Sequence, residues 1–248
     1  MATTRYQTVT NIINQVAVES GLGPFVDVLA SSDPAFVQLR YLLNSSLAEL
    51  MEMHPWEILT REFSYTTMVG EEGKIDLPAD FGYMIDQTGW DRSNNLPLAG
   101  PLSPQEWTFL LGRNLEAAPR YVSFRFDSGQ FWVLPQTPMP PDVQITFEYI
   151  SRNLVQLSGI VPVEYSDVVE TSADIVLLPP QVVTRLLKLR FLEAKGFDAT
   201  AAGVQFSNAF NSWTGKSVSA PILSVGRGGT GVALLNKLLN VPFSGYGQ

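Results

Sequence analysis

Residues 142–152 read DVQITFEYISR, and their alternation decides the fold class. Val143, Ile145, Phe147 and Tyr149 recur at every second place, with Gln144, Thr146 and Glu148 between them. Successive side chains of a strand point to opposite faces, so the pattern predicts an antiparallel strand buried on one face. Just upstream, RYVSFRFDSGQFWVLPQ (120–136) places Val122, Phe124 and Phe126 on one side of a turn at Asp127–Ser128–Gly129. That is a hairpin signature. Further upstream, WEILTREFSYTT (56–67) and GKIDLP (73–78), joined by a Gly/Glu turn, predict a second hairpin. Between the two lies SPQEWTFLLGR (103–113). Ser103 caps a short helix there, Pro104 takes its first position and Glu106 completes a capping box.

Beyond this β region, both ends read as helix. Thr8 or Thr10 can cap a helix with Val9, Ile12, Ile13, Val16 and Ala17 on one side, stopped at Gly21. Asp33–Pro34 starts another, whose Phe36, Leu39, Leu43, Leu47, Leu50 and Met51 fall at steps of three and four before Pro55. After Pro179–Pro180, Val183, Leu186, Leu187, Phe191 and Ala194 form one face of a helix closed by Gly196. A partner helix runs from Asp198 through Ala202, Phe206, Ala209, Phe210 and Trp213 to a stop at Gly215. With no alternating βα units, the order predicts an α+β fold. Helices from the two chain ends would form a bundle, with an inserted antiparallel β-rich region and an extended C-terminal tail. The divisions are 1–55 and 161–215 for the bundle helices, 56–160 for the insertion and 216–248 for a docking tail.

Composition narrows the function. The 248 residues are 45% hydrophobic and 16% charged, and the formal net charge is −8. Such a chain is globular and has no general attraction for nucleic acid; an acidic surface would instead keep passing DNA from sticking. The absence of cysteine excludes thiolate metal sites and disulfides. The opening MATTRYQTVTNII carries no signal-peptide pattern, and no run is long enough for a membrane helix. The expected setting is the cytoplasm, or a particle assembled there.

Residues 224–240, SVGRGGTGVALLNKLLN, contain G-x-G-x-x-G at Gly226, Gly228 and Gly231. A dinucleotide site needs a second strand and an acid about 20 residues further on. The sequence shows seventeen residues and no Asp or Glu after Gly231. The motif therefore reads as a hinge before a short helix, with Val232, Leu235, Leu238 and Leu239 as its apolar stripe. Burying each would be worth roughly 1.5–3 kcal/mol. With Leu234, Val241 and Phe243, these side chains are expected to dock on another subunit.

Other chemistry is thin. His54 is the only histidine and reads as a helix C-terminal cap. Asp76, Asp80, Asp86 and Asp91 gather around Trp90; paired carboxylates beside an aromatic could cleave a glycan, and the β part could bind one without turnover. Asp80 and Asp91 also read as turn formers or ion-pair partners, and Trp90, Trp107 and Trp132 as core or interface anchors. No catalytic residue, metal ligand or cofactor is assigned.

Four runs together resemble the head-to-tail adaptor (connector) proteins of tailed bacteriophages, best known from short-tailed phages. They are LPADF at 77–81, GWDR at 89–92, PLSPQEW at 101–107 and FEYISRN at 147–153. With the flanking helices, the likeness spans about residues 5 to 215. It implies structural roles for Asp80, Trp90, Asp91, Arg92, Trp107 and Arg152. It also implies a helical bundle with a β-rich insertion, assembled as a dodecameric ring beneath the portal protein of the capsid. Such a ring would contact its own neighbouring copies and present a face to a downstream tail protein (nozzle, tail tube or fibre). DNA would pass its lumen without sequence-specific binding, and the C-terminal segment would dock on the portal.

Overall fold

A computed structural model describes residues 6–68, 73–112, 122–134 and 141–217. Its organising strand is β9, Gln144–Ser151, the alternating segment above. It pairs antiparallel with β2 (Thr60–Thr66) from Thr60↔Ile150 to Thr66↔Gln144. On its other side lie β4 (Phe81–Met84) and β5 (Trp90–Asp91), and β6 (Leu96–Pro97) continues the sheet beyond β5. Burial of β9 departs from the expected single face, because only Gln144 and Glu148 stay exposed. Ile145, Phe147 and Tyr149 enter one core, whereas Ile150 enters another. The strand is therefore the wall between two hydrophobic clusters.

A second sheet joins β3 (Lys74–Asp76), β8 (Gln130–Leu134) and β7 (Ser123–Asp127). The β7–β8 hairpin turns through Ser128 and Gly129, at φ of 52° and 77°. Two successive left-handed residues match the twist of such a hairpin, and a glycine adopts one of them without steric cost. Phe124, Phe131 and Val133 of this sheet pack on Ile145 and Phe147. The expected hairpin of 56–67 with 73–78 does not form. β2 pairs with β9 and β3 with β8, because alternation tells which face a strand buries and not which strand it joins.

The first core is formed mainly by α1 (Val9–Glu19), α2 (Pro34–Met53) and α4 (Pro180–Lys195), with α5 (Thr200–Ser217) packed on α4. The start signals read correctly. The side chain of Thr8 accepts from the N–H of Asn11, that of Asp33 from the N–H of Ala35, and Gly196 closes α4 at φ 73°. Helix α5 runs past Gly215 to Ser217. Two ion-pair groups tie the helices: Glu19 takes Arg185 and Lys188 at 3.0 and 2.9 Å, and Arg190 grips Glu49 and Glu193.

The structure corrects the expected helical bundle with an inserted β region. The described residues form five α-helices and twelve strands in three antiparallel sheets. The third sheet, in order β1 (Gln7–Thr8), β12 (Ile175–Val176), β10 (Val155–Gln156) and β11 (Tyr165–Ser166), is woven through the helical layer. β1 runs directly into α1, and its partner β12 lies just before α4. Leu154, Val155 and Val176 complete the same core as the helices. The helices thus share their interior with sheet, and the β structure is no separate insert. Each of these strands spans only two residues, too short to display a period of two, which is why the sequence pattern passes over them.

Candidate functional site

The GWDR run begins with Gly89, buried where an added Cβ would lie 2.9 Å from Met84 and 3.1 Å from Leu98. Trp90 and Asp91 follow as β5, beside Thr146 and Ile145 of β9. Asp91 is 2% exposed. Its Oδ1 accepts the N–H groups of Ser93 and Asn94 at 3.0 and 3.1 Å, and its Oδ2 accepts Nδ2 of Asn94 at 2.8 Å. Both oxygens are spent on the turn from β5 to β6. Arg92 donates its backbone N–H to the carbonyl of Gln144 and its Nε to Thr146 Oγ1, both at 2.8 Å. Its guanidinium carbon lies 6.0 Å from the centre of the Trp90 ring.

Asp80 works at the opposite end of β9. Its carboxylate accepts from Tyr149 at 3.0 Å and Ser151 at 2.7 Å, while its carbonyl accepts the N–H of Arg152 at 2.7 Å. Arg152 then reaches the exposed Asp167 at 3.1 Å. Motif residues far apart in the chain thus meet on one strand: Asp80 and Arg152 at its end, Trp90, Asp91 and Arg92 at its beginning.

Helix α3 (Pro104–Gly112) carries Trp107. The capping box forms as expected, with Ser103 N–H and Oγ both donating to Glu106 at 2.8 Å. Trp107 is 2% exposed and sits 6.4 Å from Trp132. Arg125, missed in the sequence, lies between them at 5.0 and 4.9 Å from the two rings and is ion-paired to Asp127. Cation–π contact with two indoles makes this an anchor for α3 against the β7–β8 hairpin. Its sequence signal was a charged residue inside an aromatic hairpin.

Between these parts lies a groove of about 600 Å³, edged by Met84, Asp86, Trp90, Leu98, Pro101 and Phe124. The four acids around Trp90 have separate settings. Asp80 and Asp91 are engaged as described, Asp76 accepts from Gln130 Nε2 at 2.7 Å, and Asp86 stands at the groove rim. Among the described residues no group of three or more His, Asp or Glu could hold a metal ion, and no helix is long and apolar enough to cross a membrane. His54 is the C-cap of α2, its ring edge-on to Trp56 at 5.0 Å, and burial lowers its pKa. The tail residues Val232, Leu234, Leu235, Leu238, Leu239, Val241 and Phe243 lie outside the described residues.

This arrangement is a scaffold held by motif residues. The family model described as SU10 adaptor protein matches residues 7–219, well over four fifths of the chain. A search of curated proteins found no match. Matched over that length, the chain belongs to the SU10 adaptor protein family, and is a bacteriophage adaptor and virion component.

Proposed function

We propose that copies of this chain assemble as a dodecameric ring beneath the portal, join the capsid to the tail and leave a central passage for DNA. The match to an adaptor family over residues 7–219 carries this reading. Val26, Tyr41, Val161 and Phe197 are all more than half exposed, apolar surface that contacts between copies would cover. Identical copies joined by one heterologous contact close into a ring when the rotation allows it. The net charge of −8 suits a passage whose wall must not hold phosphates, provided acids line it. One face binds the next tail protein, and no step of covalent chemistry is required.

The C-terminal segment supplies the tether. Val232, Leu234, Leu235, Leu238, Leu239, Val241 and Phe243 find their burial on another chain of the assembly, the portal or a neighbouring copy. Repeated around a ring, even a weak tether becomes strong through multivalency. Electron microscopy of the purified protein with and without portal tests the reading. Rings seated on the portal are expected. A protein that stays monomeric with portal present, at concentrations where the virion assembles, would overturn it. Deletion of residues 224–248 should leave a folded protein that docks poorly.

A further inference from the structure

The third sheet ends at β11, which pairs with β10 alone among the described strands. The N–H groups of Leu157 and Leu154 donate to the carbonyls of Glu164 and Ser166 at 3.0 and 2.9 Å. The peptide groups of these two residues therefore face inward. Alternation along a strand turns those of Tyr165 outward, onto an open edge. Around that edge Ile160, Val161, Val163, Tyr165 and Val168 are all exposed, Val161 to 95%. Glu164, Asp167 and Glu170 stand exposed among them, and no Lys or Arg occurs from Leu157 to Asp174. Arg152 engages Asp167 from outside this stretch. The result is a ledge that is apolar, acidic and open along its backbone.

An occupant of such a ledge must bring apolar side chains, positive charge and a backbone able to lie along a strand. Residues 218–248 have that chemistry. They contain Arg227 and Lys237 and no acid, so the entire acidic excess of the chain lies before them. The apolar run Ile222–Leu223, ahead of the glycine hinge, suits the open edge, and the helical stripe from Val232 to Leu239 suits the exposed apolar side chains beside it. Fully extended, thirty-one residues can reach on the order of 100 Å, enough to cross to an adjacent copy.

We infer that the β11 edge with its ledge, residues 160–168, is the docking site for the C-terminal segment of a neighbouring copy. The inference rests on the ring reading above and names the partner that its tether grips.

The chain has no cysteine, so a disulfide can report the contact. Full-length Val161→Cys and Leu235→Cys chains are mixed with portal and oxidised. The expected product is a mixed disulfide between the two chains. Its yield should fall several-fold when Val26→Cys, at an equally exposed position elsewhere, replaces Val161→Cys. It should also fall several-fold with Glu164→Arg and Glu170→Arg, and return when Arg227→Glu and Lys237→Glu are added to the partner chain. Rings on the portal without the mixed disulfide would overturn the inference alone. So would a double-cysteine chain that links only within itself when diluted with wild type. A failure to form rings at all would overturn the ring reading and the inference with it.

Discussion

The phenol of Tyr149 donates to the carboxylate of Asp80 at 3.0 Å, fastening the LPADF turn to the central strand. Ser151 shares the same carboxylate, so Asp80→Ala leaves two donors unpaired. Loss of a buried partner costs about 1–3 kcal/mol. Tyr149→Phe removes one partner together with its need and should cost less, about 1 kcal/mol. Calorimetry should show the double variant losing less than the sum of the singles, because both changes break one network; strict additivity would overturn the coupling. Burial, then the bond to Asp80, pushes the Tyr149 phenol up to about 12. An acid whose folded pKa is raised stabilises the fold below its ordinary value near 10 and loses that contribution as pH climbs toward 12. Ultraviolet titration of Asp80→Asn should show this tyrosine ionising earlier.

Asp174 gives the opposite pH dependence. Its buried carboxylate is pushed up by desolvation, but hydrogen bonds from the hydroxyl and N–H of Thr171 and the N–H groups of Ser158 and Glu170 outweigh this and hold its pKa below normal. A depressed carboxylate stabilises the fold above its unfolded pKa near 4 and loses that contribution as pH falls. Asp174→Asn should therefore cost about 1–3 kcal/mol at neutral pH. The gap from wild type should close as pH falls below about 4, read by denaturant melts. Because Ser158 and Glu170 flank the exposed ledge, the same variant should loosen that ledge first. Hydrogen exchange at residues 160–168 would report it.

Two glycines separate close approach from mere helix cost. A Cβ at Gly100 would lie 2.5 Å from the carbonyl oxygen of Phe124 and 2.9 Å from its ring. The backbone cannot yield cheaply there, so Gly100→Ala should cost about 1–3 kcal/mol as overpacking does. At Gly203, inside α5, the nearest atom would be Leu189 Cδ1 at 3.9 Å. Gly203→Ala should stabilise by up to about 1 kcal/mol through helix propensity. Equal effects at the two sites would contradict the packing described.

What could be read in advance followed local signals. Thr8, Asp33, the Ser103–Glu106 box and Gly196 mark helix ends because caps satisfy nearby backbone groups, and the chemistry sits within a few residues. The β7–β8 hairpin was legible for the same reason. The partner of β2 was not: Phe63 faces Phe147 across eighty-odd positions of chain, and nothing local encodes that choice. The four-stranded sheet escaped notice because two-residue strands carry no period. Its misreading turned shared helix–sheet packing into a bundle with an insert. The motif runs could be quoted from the sequence, but Asp91 spending both oxygens on its own turn, and Arg125 lying between two indoles, are tertiary facts.

The acids around Trp90 allow a decisive contrast between scaffold and enzyme. Glycan cleavage needs two carboxyl groups about 5–9.5 Å apart, facing one bond. Asp91 is buried and fully engaged by Ser93 and Asn94, so it is committed to folding the β5–β6 turn. Asp86 stands at the groove rim. Asp91→Ala should therefore destabilise by about 1–3 kcal/mol, the cost of stranding donors in a buried turn. Asp86→Asn should leave stability within about 0.5 kcal/mol. Neither should alter sugar release from cell-wall or capsule glycans, because the wild type should match the blank. Reducing-end assays on all three proteins, read beside their melting curves, check both halves. Wild-type turnover lost in a fully folded Asp86→Asn would return the groove to catalysis and overturn the scaffold reading of these acids.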